Sequence, residues 1–222
     1  MPELDTQKFF EHYAVDFDAI YGNRNGAFNS IINQWFRQSM VLRYQKTIDG
    51  CQPVAGSSAL DIGCGPGHYS LALAKRGASV VGIDFANSMI EIARARAQVA
   101  GLAERCEFNV ADWQSFAADW QFDYVLALGF MDYISDPEAT LAKIISLTSR
   151  RAFLSFPAAE GALAWQRKLR YRYQHGCELF LYTREQLNAM LNRFANIRMT
   201  IEPIARDYFV TISISDSDAS VS

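Results

Sequence analysis

The chain has 222 residues, half of them hydrophobic and a fifth charged, with a formal net charge of −3 at pH 7. That length suits one domain with a full core, and the acidic balance argues against nucleic acid as a partner. With no apolar run near the about 20 residues that cross a bilayer, no signal-peptide pattern at Met1-Pro2-Glu3-Leu4-Asp5 and no C-x-x-C pair, the chain reads as cytoplasmic and free of a zinc site.

Residues 1–50 read as two helices. Phe10, Tyr13, Phe17, Ile20 and Tyr21 recur at spacings of three and four, an aromatic stripe that ends at Gly22-Asn23-Arg24-Asn25-Gly26. A second helix is predicted from Asn29 to Ile48, with Ile32, Trp35, Phe36, Met40 and Tyr44 on one side and Gly50 as its stop. Core packing is the plainer reading of most residues in both stripes. Cys51, Cys64, Cys106 and Cys177 are widely spaced and read as reduced thiols.

The stretch from Ala59 to Tyr69 is the most informative. Short apolar residues run to Asp61, then Gly63, Gly65 and Gly67 alternate, then Leu71-Ala72-Leu73-Ala74 begins a helical run. The order is strand, tight loop, helix, with the helix N-terminus and its N–H groups aimed at whatever lies on the loop. A dinucleotide loop reads G-x-G-x-x-G/A, whereas here the sixth position is His68. Asp61, two residues before the first glycine, would repel a pyrophosphate and suits a cofactor with a positive ammonium. A glycine turn with no ligand is the plainer alternative.

Leu60-Asp61-Ile62-Gly63-Cys64-Gly65-Pro66-Gly67 resembles the first motif of the class I S-adenosylmethionine-dependent methyltransferases. The resemblance implies S-adenosyl-L-methionine as cofactor and S-adenosyl-L-homocysteine as product. It also implies an α/β fold: a Rossmann-like, doubly wound, seven-stranded sheet, mostly parallel with a C-terminal antiparallel hairpin. Cofactor contacts are then expected from Asp61, Gly63, Cys64, Gly65, Gly67 and His68, with His68 bordering the methionine end. Relatives lay N-terminal helices over the cofactor as a lid, which makes Tyr13 and Tyr21 closing residues.

Ser79 to Asp84 is the next predicted strand. Asp84 is placed to accept from ribose hydroxyls, or alternatively to cap the helix from Asn87 to Ala100. Phe85 and Met89 are apolar enough to flank an adenine. That helix is expected to turn Ile90, Ile92, Ala93 and Ala97 to the sheet and Arg94 and Arg96 outward. Cys106 to Val110 is the third strand, and the resemblance places Asp112 after it at the adenine amino group. Trp113 either packs near the ring or plugs the loop.

Phe122 begins a buried strand whose apolar run, Tyr124 to Leu128, suits the middle of a parallel sheet. Leu128 and Gly129 are expected at the cofactor, with Asp132 and Tyr133 facing the acceptor. Relatives often carry a Glu-His pair where Asp132-Tyr133 stands, which puts a histidine base there in doubt. Asp136-Pro137-Glu138 starts a helix, and Arg151 to Phe156 is the fifth strand. The section from Ala158 to Tyr182 holds Trp165, Arg167, Lys168, Arg170, Arg172 and His175. Its positive charges read either as a solvated helix face or as a hold for a phosphate or carboxylate on the acceptor. Thr183 to Gln186 has capping-box spacing for a helix running to about Phe194. Ile197 to Ile204 and Tyr208 to Ile214 alternate as a closing hairpin.

The chain therefore divides into a helical lid (1–50), a cofactor core (57–157), an acceptor-side insertion (158–182), a closing helix and hairpin (183–214) and a frayed tail (215–222). The expected function is methyl transfer to a small or medium-sized acceptor, oxygen by analogy, with Asp132, Tyr133 and His175 handling the acceptor. In layout the chain also resembles the magnesium-protoporphyrin and ubiquinone-type O-methyltransferases. The alternatives are a nicotinamide-dependent oxidoreductase and a non-catalytic protein that binds the cofactor to regulate a partner.

Overall fold

The structure is a computed structural model that describes residues 30–160 and 179–215, with side chains from residue 39 onward. The aromatic stripe with Tyr13 and Tyr21, the basic cluster, His175, Cys177 and the tail beyond Ser215 lie outside the described residues. So do the side chains of Ile32, Trp35 and Phe36.

Seven strands form one sheet: β1 (Ser58–Ile62), β2 (Ser79–Asp84), β3 (Cys106–Val110), β4 (Phe122–Ala127), β5 (Thr148–Pro157), β6 (Ile197–Ile204) and β7 (Asp207–Ile214), in the order β3-β2-β1-β4-β5-β7-β6. The first five are parallel, and β7 pairs antiparallel with both β5 and β6. The helices are α1 (Ser30–Gly50), α2 (His68–Lys75), α3 (Asn87–Val99), α4 (Pro137–Ser146) and α5 (Arg184–Leu191). The chain leaves β1 toward β2 and returns on its other side as β4. That switch opens a crevice at the carboxyl ends of β1 and β4, where doubly wound sheets hold their ligands.

Strand alternation sorts the core into two layers. Leu60, Ile62, Val125, Ala127, Ala152 and Leu154 face Leu141 and Ile144 of α4 and Leu187 and Leu191 of α5. Ala59, Tyr124, Leu126 and Phe153 face Ile48 of α1 and Leu73 and Ala74 of α2. Each large apolar side chain buried this way contributes about 1.5–3 kcal/mol. The same alternation directs Asp61 and Ser155 to the α1–α2 side, among apolar neighbours. Polar groups there need partners.

Several boundaries and faces differ from the sequence expectation. β5 begins at Thr148 rather than Arg151, because backbone pairing with Phe122 extends it through exposed polar residues that carry no apolar signal. α5 ends at Leu191, short of Phe194. The inward face of α1 includes Ser39, Met40, Thr47 and Ile48, while Tyr44 is exposed and tilts onto the Tyr69 ring, 5.6 Å away. Arg94 and Arg96 do not simply point outward. Arg94 donates to the Phe108 carbonyl, tying α3 to β3, and Arg96 bends back to the Pro66 carbonyl at 3.3 Å. Two cap assignments hold: Asp136 accepts from Ala139 N–H, and Thr183 and Gln186 form both bonds of a capping box.

Candidate active site

The glycine loop joins β1 to α2. Gly65 has φ +51, a left-handed conformation that a side chain resists, and a Cβ there would meet nothing within 4 Å. Main-chain atoms at Gly65 therefore border open space, which is what a ligand lying on the loop requires. Gly67, at φ +80, is the N-cap of α2 and makes no side-chain cap bond. A Cβ at Gly63 would stand 3.2 Å from the Phe130 ring, so that position serves close packing.

Two carboxylates stand at this loop. Asp84, at the tip of β2, accepts Gly65 N–H on Oδ2 and Ala86 N–H on Oδ1, both at 2.9 Å. It thereby holds the loop and does not cap α3, whose N-cap is Ala86 with no side-chain bond. Burial pushes its pKa up, and the backbone donors pull the other way. Each oxygen keeps acceptor capacity for a further donor. Asp61, at 2% exposure, accepts the Ser70 hydroxyl at 2.6 Å and also the Ser70 backbone N–H. Burial pushes Asp61 up to about 6; Ser70 offsets part of this and the Asp84 charge adds to it. A cation brought beside either group would relieve the strain of two neighbouring buried acids.

The remaining predicted cofactor residues surround these. Cys64 is buried, bonds its N–H to Ile83 O at 3.0 Å, and has its thiol pushed well up by burial, so it packs rather than reacts. His68 opens α2 with Nε2 3.3 Å from Arg96 Nη1. Arginine only donates, so Nε2 accepts and the ring proton sits on Nδ1. Met89 is buried against Ala86, and half-buried Phe85 packs beside them. Trp113 is buried, stacked near Phe116 at 6.3 Å and edge-on to Phe130 at 6.1 Å, with the Lys143 ammonium 4.3 Å from its ring centre. Lys143 also donates to the Trp113 and Gln114 carbonyls, which fixes the loop after β3. Asp112 beside it is exposed, its Oδ1 accepting Gln114 N–H. Leu128 is half-buried at the end of β4. Gly129 donates its N–H to Ser155 Oγ at 2.7 Å.

On the acceptor side, Asp132 is buried in the 3-10 turn Met131–Tyr133, and its carbonyl accepts Phe180 N–H at 2.9 Å. Tyr133 in the same turn is half-buried. Burial, and then the Asp132 charge, push the Tyr182 phenol up to about 12. Tyr182 is thus a neighbour of Asp132 that the sequence did not single out. Among the described residues no cluster of His, Cys, Asp and Glu is arranged to hold a metal ion.

The sequence reading also missed a polar group on the α1 side of the crevice. Arg43 of α1, its side chain 12% exposed, reaches Gly129, where a Cβ would stand 3.7 Å from Nη1. Nη1 donates to Ser155 Oγ at 3.0 Å and lies 4.0 Å from Asp207 Oδ2. The signal was present: Arg43 falls three after Met40 and four before Thr47, a cation on the inward face of a helix.

A family model described as a methyltransferase domain matches residues 53–172. Among curated proteins, the ubiquinone biosynthesis O-methyltransferase of Azoarcus sp. strain BH72 is 34% identical over 94 residues, covering 42% of this chain and 40% of that protein. The enzyme of the same name from Rhizobium johnstonii is 29% identical over 161 residues, covering 66% and 64%. The chain thus matches about 40% of the length of the first of these relatives and under two thirds of the second. Among solved structures, magnesium protoporphyrin IX methyltransferase from Synechocystis PCC 6803 with bound S-adenosylhomocysteine superposes with a TM-score of 0.75 at 19% identity, covering 94% of this chain and 98% of that one. That likeness shows the fold. With the family model spanning more than half of its length, the chain belongs to the methyltransferase-domain family.

Proposed function

We propose that the chain is an S-adenosyl-L-methionine-dependent methyltransferase acting on a small or medium-sized acceptor, at oxygen. One observation carries the reading: two buried carboxylates, Asp61 and Asp84, converge on a glycine loop whose middle residue borders open space. A pyrophosphate would be repelled there, which disfavours the nicotinamide alternative. The oxygen acceptor follows the named activity of the ubiquinone biosynthesis relatives.

The bound cofactor supplies a methyl group already made electrophilic by its sulfonium. The chain supplies position and charge. Asp84 accepts from the ribose hydroxyls while its backbone bonds keep it in place. Asp61 faces the ammonium, Arg43 the carboxylate, and Gly65 lets the chain lie against the main chain of the loop. Asp112 accepts from the adenine amino group beside Met89, Phe85 and Leu128. Asp132, Tyr133 and Tyr182 line the acceptor end, where Asp132 takes or steers the acceptor proton. His175 at the acceptor, Tyr21 at the cofactor and the 167–172 cations, as a solvated face or an anion hold, rest on the sequence, as do the lid (1–50) and insertion (158–182). A cytoplasmic setting goes with the reduced thiols.

The test is incubation with cofactor labelled in its methyl group and a metabolite extract. The expected result is a labelled small product whose label is retained as an ether or ester. Tight cofactor binding without any labelled product would instead support the non-catalytic alternative.

A further inference from the structure

We propose that Asp207, the first residue of β7, is a positioning residue for Arg43 and so sets the affinity of the crevice for the carboxylate end of its cofactor; this rests on the role given to Arg43 above. The β6–β7 hairpin delivers Asp207 to the site. Ile204 and Asp207 pair across the turn Ala205-Arg206, and Asp207 pairs with Pro157 at the carboxyl end of β5. Phe209, two residues on, belongs to the α1–α2 layer, while Tyr208 faces the opposite one. Alternation therefore turns Asp207 toward α1.

On α1, Ser39 and Arg43 are one turn apart and both meet this carboxylate. Ser39 Oγ shares its one proton between Asp207 Oδ2, 3.3 Å away, and the Ile204 carbonyl, 3.1 Å away. Arg43 Nη1 stands 4.0 Å from the same oxygen. Ser155 Oγ then accepts from Arg43 at 3.0 Å and from Gly129 N–H at 2.7 Å. A continuous polar path thus runs from the hairpin, through the guanidinium, to the loop after β4. Ser39, Ser155 and Asp207 are all under 9% exposed.

The physical need is clear. Arginine has a long side chain with many rotamers to lose, and its charge is costly to bury without a counter-ion. Asp207 supplies that charge 4.0 Å from Nη1, the same nitrogen that stands beside Gly129 and bonds Ser155, and keeps the guanidinium at the crevice wall. Without it, the guanidinium is held less firmly at Ser155, and the ligand carboxylate must order it on binding.

Asp207→Asn tests this, because asparagine keeps the shape and an oxygen for Ser39 while removing the charge. The probes are S-adenosyl-L-homocysteine and its decarboxylated counterpart, titrated into full-length wild type, Asp207→Asn, Arg43→Met and the double variant, each first checked by melting. Wild type is expected to prefer the carboxylated probe. Asp207→Asn should bind that probe about tenfold more weakly and leave the decarboxylated one unchanged. In the Arg43→Met background, Asp207→Asn should add nothing further. Wild type binding both probes equally would overturn the Arg43 assignment itself. A wild-type preference that survives Asp207→Asn undiminished, or rises, would overturn the role of Asp207 alone. Should Asp207→Asn fail to fold, Ser155→Ala serves: loss of carboxylate preference supports the path, and its retention overturns it.

Discussion

At the level of single residues, the site is governed by how buried acids are satisfied. Asp84 spends one bond from each oxygen on the backbone, at Gly65 and Ala86, and Asp61 takes both donors of Ser70. The sequence made both acids legible, since each ends an apolar run next to a glycine loop or a helix start. It did not show Ser70 as the partner of Asp61, because a serine two residues into a helix carries no distinguishing pattern. The environment has a pH consequence. Burial pushes the folded Asp61 carboxyl up to about 6, from an ordinary value of 3.8. The folded state therefore binds more protons between these values, and the unliganded protein loses stability as pH rises from about 4 to about 6. The ligand ammonium favours the ionised carboxylate, so affinity for S-adenosylhomocysteine should rise across the upper part of that window. Titrations at pH 5 and pH 7 are expected to show tighter binding at pH 7, with the difference reduced in Asp61→Asn. Equal wild-type affinity at both values would exclude Asp61 as the ammonium partner.

Among the elements, the parallel strands β1, β2 and β4 are legible almost to the residue, because each is a short, mostly apolar run with a glycine or acid close by, and β3 is legible from its alternation. Errors gathered where pairing or polar contacts override the pattern, as at the start of β5 and on the inward face of α1. On α1, Met40 is buried as its stripe implies but Tyr44 is exposed, because the helix also packs on the sheet through Ile48 and carries Ser39, Thr47 and Arg43, which an apolar stripe cannot reveal. The place where β2 meets β3 and the glycine loop offers a direct packing test. A Cβ on Gly82 would stand 2.6 and 2.8 Å from the Phe108 ring and 3.1 Å from Cys64 Sγ. Gly82→Ala should therefore cost about 1–3 kcal/mol by overpacking, read as a shift in the denaturation midpoint. Phe108→Leu in the same chain should return part of that loss. A Gly82→Ala variant as stable as wild type would mean that β3 moves aside freely.

Over the whole molecule, the fold was legible and the site only in half. The cofactor side is built from one contiguous run plus strand tips at regular spacing, so sequence order maps onto space. The other wall is assembled from distant segments: Arg43 from α1, Gly129 after β4, Ser155 from β5 and Asp207 from the terminal hairpin. Only the sheet order, which inserts β7 between β5 and β6, brings them together. Residues separated this far in the chain share no spacing to read. Asp132 meets Tyr182 in the same way, through Phe180 N–H bonding back to the turn after β4. The most direct test of the account is a crystal structure of the protein with S-adenosylhomocysteine. Density is predicted across the carboxyl ends of β1, β2 and β4, with the ribose on Asp84, the ammonium at Asp61 and the carboxylate at Arg43. A ligand bound elsewhere, or a ribose turned away from Asp84, would contradict it.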